Sequence, residues 1–148
     1  MKKILIVAAG YYLEIRDNLI KGASIHLEKY KGKLEYEIVY CRGSFEIPYL
    51  INKNIDKYDG FIALGCIIKG ETYHFELIAN ECARKIMDLS VDKNKPIGFG
   101  VLTCENLNQA TKRSKAIPNS IKKDKGGEAA NAITSILWDP LYLKIDDI

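Results

Sequence analysis

The chemistry that this chain offers is concentrated where the apolar run Phe61-Ile62-Ala63-Leu64 gives way to Gly65-Cys66-Ile67-Ile68-Lys69-Gly70-Glu71-Thr72-Tyr73-His74-Phe75-Glu76. Gly65 and Gly70 bracket a tight turn, Thr72 can cap a helix, and His74 follows two positions later. The first N–H groups of a helix lack intrahelical acceptors and carry the positive end of its dipole, so a junction of this kind binds anions. An imidazole beside a bound anion can move protons near neutral pH. The same residues also make an ordinary strand–turn–helix junction, with Thr72 as its cap and His74 on the surface. Local chemistry leaves both readings open.

A second cluster is Gly43-Ser44-Phe45-Glu46-Ile47-Pro48. Glycine allows close backbone approach, Phe45 offers a flat apolar surface, and Glu46 can accept hydrogen bonds from hydroxyl groups. The plainer alternative is a helix start capped by Ser44, with Phe45 in the core and Glu46 favoured by the dipole. Tyr11 opens the first helical pattern and can either stack on a ligand or pack. Arg113 is either a solvated charge or an anion ligand, and Lys125-Gly126-Gly127 is either an anion-binding helix start or a loop. Cys41, Cys66, Cys82 and Cys104 lie in or beside apolar segments without CxxC spacing, which predicts buried reduced thiols. With only His26 and His74 to add, no metal site is predicted.

Positioning these residues requires regular elements. Four runs rich in Ile, Val, Leu or Phe, at Lys3–Ala8, Tyr36–Cys41, Gly60–Ile67 and Pro96–Thr103, are apolar nearly throughout. That pattern suits parallel strands buried on both faces. Tyr12, Ile15, Leu19, Ala23, Leu27 and Tyr30 recur at helical spacing, as do Phe75, Ile78, Ala79, Cys82, Ile86 and Leu89. Further helices are predicted over Phe45–Asn54, from Asn106 towards Ser114, and from about Gly127 to Trp138, with Ala130, Ile133 and Leu137 on one face and Pro140 beyond the end. Ile117-Pro118-Asn119-Ser120 must break a helix. Alternating strands and helices imply right-handed crossovers and a three-layer α/β sandwich, a four-stranded parallel sheet flanked by helices in the flavodoxin-like manner. Ligands then bind beyond the carboxyl ends of the strands. That rule gathers Gly10-Tyr11, Gly43–Glu46, Ile67–His74 and Thr103–Glu105.

Composition narrows the classes. A chain of 148 residues, 47% hydrophobic and 28% charged, suits one globular domain. A net charge of +3, from 22 basic against 19 acidic residues, is too small to argue for nucleic acid. The basic stretch Lys122-Lys123-Asp124-Lys125 contains an acid and suits a solvated loop. Lys2-Lys3 precede a first strand rather than a signal peptide. No apolar stretch approaches the roughly 20 residues that a membrane helix needs. The expectation is a cytoplasmic protein with no nucleic-acid or membrane partner.

Taken in order, these elements resemble the lumazine synthase family over nearly the whole chain. Gly43–Pro48 is similar to the family's Gly-Ala-Phe-Glu-Ile/Leu-Pro element. Gly65–Glu76 is similar to its Gly-x-x-Ile-Arg-Gly-x-Thr-x-His-(Phe/Tyr) element, with Lys69 where arginine is usual. Pro96–Thr103, Gln109-Ala110 with Arg113, and Lys125-Gly126 with Gly127-Glu128-Ala129 continue the match. The resemblance implies that Tyr11 takes the place of a phenylalanine stacked on a pyrimidine, and Tyr12 that of a usual asparagine. Ser44, Phe45 and Glu46 would hold the ribityl chain and base, and Ile67 and Ile68 would contact the pyrimidine through their backbone. Gly70, Glu71 and Thr72 would form the turn near a substrate phosphate, with His74 transferring protons. Phe99, Arg113 and Lys125 would reach the site from a neighbouring subunit.

The reaction so implied joins 5-amino-6-(D-ribitylamino)uracil to 3,4-dihydroxy-2-butanone 4-phosphate, without metal or organic cofactor, in a single domain spanning 1–148. The resemblance also implies a homopentamer. Its first strand starting almost at Met1, and a Lys115–Lys125 segment longer than the turn usual in shell-forming members, predict a free pentamer rather than a shell. Two other classes share parts of the pattern. A non-catalytic flavin- or lumazine-binding module would keep the aromatic slot, although retention of His74 and Arg113 argues against it. A flavodoxin-like or phosphate-binding regulatory domain would keep the layers but has no use for the paired Gly43–Pro48 and Gly65–Glu76 elements.

Overall fold

A computed structural model describes residues 1–116 and 124–138. The predicted break at Ile117–Ser120, Lys122-Lys123 and Pro140 lie outside the described residues, as does most of the long segment expected to obstruct a shell. The chain runs β1 (Lys2–Ala9), α1 (Leu13–Glu28), β2 (Leu34–Cys41), a 3-10 turn (Ser44–Glu46) leading into α2 (Ile47–Lys53), β3 (Gly60–Ile68), α3 (His74–Lys93), β4 (Ile97–Cys104), α4 (Leu107–Ser114) and α5 (Lys125–Leu137). The four strands are parallel in the order β2-β1-β3-β4. All four predicted strands are present; the first three are longer by one or two residues, and the fourth keeps its length but is shifted one residue onward, to Ile97–Cys104. Strand ends are set by ladder pairing, such as Lys2 with Leu34 and Ile68 with Cys104, rather than by hydrophobicity.

Side-chain alternation divides the apolar strands between two cores. Ile4, Ile6, Ile62, Leu64 and Leu102 face Ile15, Leu19 and Ala23 of α1 and Ala130 and Ile133 of α5. Leu5, Val7, Phe61, Ala63 and Val101 face Ile47 and Ile51 of α2 and Cys82, Ile86 and Leu89 of α3. The helix predicted over Phe45–Asn54 is divided: a 3-10 turn comes first, and Pro48 enters the first turn of α2, where its missing N–H costs nothing. α5 starts two residues before its predicted start. Asp124 Oδ1 accepts a hydrogen bond from the Gly127 N–H at 3.1 Å and caps it. The glycines after Lys125 are therefore not a loop. A Cβ at Gly126 would run into the Leu19 carbonyl, so glycine lets α5 press onto α1.

Candidate active site

Because the strands are parallel, their carboxyl ends share one edge of the sheet. Ala9 pairs with Cys41 and Ile68 with Cys104, so the segments after all four strands emerge together. The strand order reverses between β1 and β3, which opens a crevice at their ends. Backbone bonds tie the rim: the Gly10 N–H donates to the Cys41 carbonyl at 2.9 Å, and the Lys69 N–H to the Cys104 carbonyl at 2.9 Å. Lys69 Nζ also lies 3.9 Å from Glu105 Oε2, an exposed pair of small energetic weight. The Ser44–Glu46 turn packs against both β3 and α3, bringing it beside the Ile67–His74 segment.

Tyr11 precedes the helix it was expected to open, since α1 begins at Leu13, and its ring is 75% exposed. Phe45 is 60% exposed, so it does not pack in the core. Glu46 is exposed beside it. Ser44 caps no helix. It is 5% exposed, its Oγ has no partner among the described residues, and it lies 2.5 Å from where a Cβ on Gly65 would be. The glycine at 65 thus makes room for the Ser44 side chain.

Ile67 is buried on the α3 face of the sheet and Ile68 is half-buried on the opposite face, which leaves their backbone at the strand end. Gly70, Glu71 and Thr72 are exposed; Thr72 Oγ1 accepts from the His74 N–H at 3.3 Å, but the cap position of α3 falls on Tyr73, whose side chain makes no capping bond, and not on Thr72 as expected. His74 begins α3 with an exposed ring. The turn, an accessible imidazole and the two exposed rings of Tyr11 and Phe45 therefore all lie on segments that leave the same edge of the sheet. This arrangement can hold a planar ring, an anion and a proton carrier together.

The thiols nearby are not nucleophiles. Burial, with the neighbouring Cys104, pushes Cys66 up to about 12; burial, with Cys41, pushes Cys82 up to about 12; and burial, with Glu46, pushes Cys41 up to about 11. None of the four cysteines is paired; Cys66, Cys82 and Cys104 are buried as expected, whereas Cys41 is half-buried.

Arg113 lies beside the β4 end of this edge, whereas Lys125, on α5, and Phe99, midway along β4 opposite Ala63, do not reach it within one chain. Arg113 is exposed in the last turn of α4, beside Cys104, where its charge partly offsets the larger upward push of burial on that thiol. Lys125 opens α5, its Nζ 3.6 Å from Glu128. Both helices pack with α1, on the face of the sheet opposite α3. Phe99 is half-buried on β4, an edge strand of the sheet. Asp124, expected in a solvated loop, is instead the cap of α5; its place three residues before Gly127 was the available signal.

Residues 1–138 match the family model described as 6,7-dimethyl-8-ribityllumazine synthase. The chain belongs to that family. Among its relatives, the 6,7-dimethyl-8-ribityllumazine synthase of Bartonella tribocorum is 46% identical over 132 residues, covering 87% of this chain and 83% of that protein. The synthase of Agrobacterium fabrum is 41% identical over 141 residues, covering 90% and 91%. That of Novosphingobium aromaticivorans is 43% identical over 139 residues, covering 93% and 95%. The similarity therefore spans every strand end that forms the crevice of this family member.

Proposed function

We propose that this chain condenses 5-amino-6-(D-ribitylamino)uracil with 3,4-dihydroxy-2-butanone 4-phosphate to 6,7-dimethyl-8-ribityllumazine, the penultimate step of riboflavin biosynthesis. The observation that carries the proposal is the convergence of exposed Tyr11, Phe45, Glu46 and His74 with the Gly70–Thr72 turn at one sheet edge, in a member of this family. The pyrimidine stacks on Tyr11 and Phe45, Glu46 and Ser44 hold the ribityl chain, and the backbone at Ile67 and Ile68 fixes the ring. The amine attacks the ketone, and water leaves as an imine forms. Phosphate is then eliminated, and a second water leaves as the ring closes. His74 carries protons between these steps, and the N–H groups near Thr72 hold the departing phosphate. Both reactants are intrinsically reactive, so alignment supplies much of the acceleration without a covalent enzyme intermediate.

Arg113, Lys125 and Phe99 complete the site of a neighbouring subunit in a homopentamer. This reading is supported by the placement of Lys125 on α5 and of Phe99 midway along the edge strand β4, and by the need for a closed ring when each subunit completes the next. Arg113 then supplies a planar, permanently charged phosphate donor. Residues 1–148 act as one cytoplasmic domain; the reduced cysteines accord with that compartment. The test is to mix the two substrates with purified protein and follow lumazine fluorescence. Formation no faster than the spontaneous reaction would reject the proposal.

A further inference from the structure

Tyr11 is a solvent-exposed ring on the short link between β1 and α1, and an exposed ring on a link is a poor platform unless something fixes it. One neighbouring ring meets it. The Tyr12 ring centroid is 4.9 Å from that of Tyr11, with the planes at 71°. This edge-to-face arrangement is the one the aromatic quadrupole favours. Tyr12 is itself anchored: it is half-buried and packs against the core formed by the strands, α1 and α5. Its phenol lies close enough to Cys66 of β3 and to Tyr11 that both add to the upward push of burial on its ionisation. Its carbonyl accepts the Arg16 N–H at 2.9 Å, starting α1, although its side chain caps nothing. The backbone of Tyr12 thus fixes the start of the helix, while its ring joins the core to the exposed Tyr11.

We propose that Tyr12 is a positioning residue for the pyrimidine platform: held by the core at β3, its ring fixes the plane of Tyr11 on which the base stacks. The inference rests on the assignment of Tyr11 to the pyrimidine site. It requires the ring of Tyr12 and not its hydroxyl, and it concerns one substrate only.

Steady-state kinetics in both substrates on Tyr12→Phe, Tyr12→Leu and Tyr11→Ala test it. Leucine fills the seat in the core without presenting a ring, which guards against loss of fold. Tyr12→Leu is expected to raise KM for the ribitylaminouracil roughly 2- to 10-fold, the range of an aromatic pair. KM for the butanone phosphate should stay unchanged, and Tyr12→Phe should restore the wild-type value. If Tyr11→Ala raises KM for the pyrimidine while Tyr12→Leu does not, the positioning role is overturned and the site stands. An equal rise in both KM values with Tyr12→Leu, unrestored by phenylalanine, would show a structural role and also overturn it. If Tyr11→Ala leaves KM for the pyrimidine unchanged, the site assignment fails and this inference fails with it.

Discussion

Acidification should destabilise this fold through one buried histidine. His26 on α1 is 6% exposed, and its Nε2 lies 3.0 Å from Thr134 Oγ1 on α5. Its Nδ1 has no partner among the described residues, and the Tyr30 ring lies 5.6 Å away. Burial first, and then the charge of Lys29, lower its pKa from 6.5 to about 4. The folded value is thus below the unfolded one, so the neutral ring is favoured in the native state. Its contribution to stability is complete above about pH 6.5 and is lost as pH falls towards about 4, because the unfolded chain takes up a proton that the folded chain resists. A fall from 6.5 to about 4, at about 1.4 kcal/mol for each tenfold change in proton affinity, amounts to roughly 3–4 kcal/mol. Urea unfolding of the wild type and His26→Gln across this window measures it. Glutamine keeps a hydrogen-bonding side chain towards Thr134 but does not titrate, and the difference cancels the other acidic groups. The wild type should lose roughly 3–4 kcal/mol more than the variant. Parallel losses would refute the reasoning.

Three further outcomes are expected. Arg113→Ala should weaken use of the butanone phosphate more than His74→Ala does, since a charge-assisted phosphate contact is worth roughly 1.5–3 kcal/mol whereas water can replace a proton carrier between aligned reactants; an unchanged KM for the phosphate substrate in steady-state kinetics would remove Arg113 from the site. Ser44→Ala should raise the unfolding free energy by about 1 kcal/mol, because it deletes a buried hydroxyl without a partner among the described residues; a urea midpoint lower than that of the wild type would show that the hydroxyl is satisfied. Light scattering should give a mass near that of five chains, whereas a monomer would refute the shared site and a sixty-chain particle the predicted free pentamer.

How far the sequence carried depends on which interactions decide each feature. Phe61–Leu64 was recognisable as a strand because a run buried on both faces leaves its mark in consecutive apolar residues. The gathering of Tyr11, Phe45 and His74 followed from the parallel order alone. Ser44 was different: the local rule favours a cap, but the gap at Gly65 takes the side chain instead, a tertiary contact with no local signature. Whether Phe45 lay in the core stayed open until its exposure settled it. Asp124, amid lysines, looked like part of a solvated loop, yet the close approach of Gly22 on α1 buries it. That α4 and α5 cover the face of the sheet opposite α3 is a tertiary choice that the helical spacing does not encode.

The most direct test of the proposed chemistry measures phosphate release and lumazine formation side by side while each substrate is varied. The expected result is a rate above the spontaneous one, saturable in both substrates, with phosphate and lumazine appearing in equal amounts. Tight binding of the lumazine product with no acceleration of either signal would contradict it and make the chain a binding module built on the same fold.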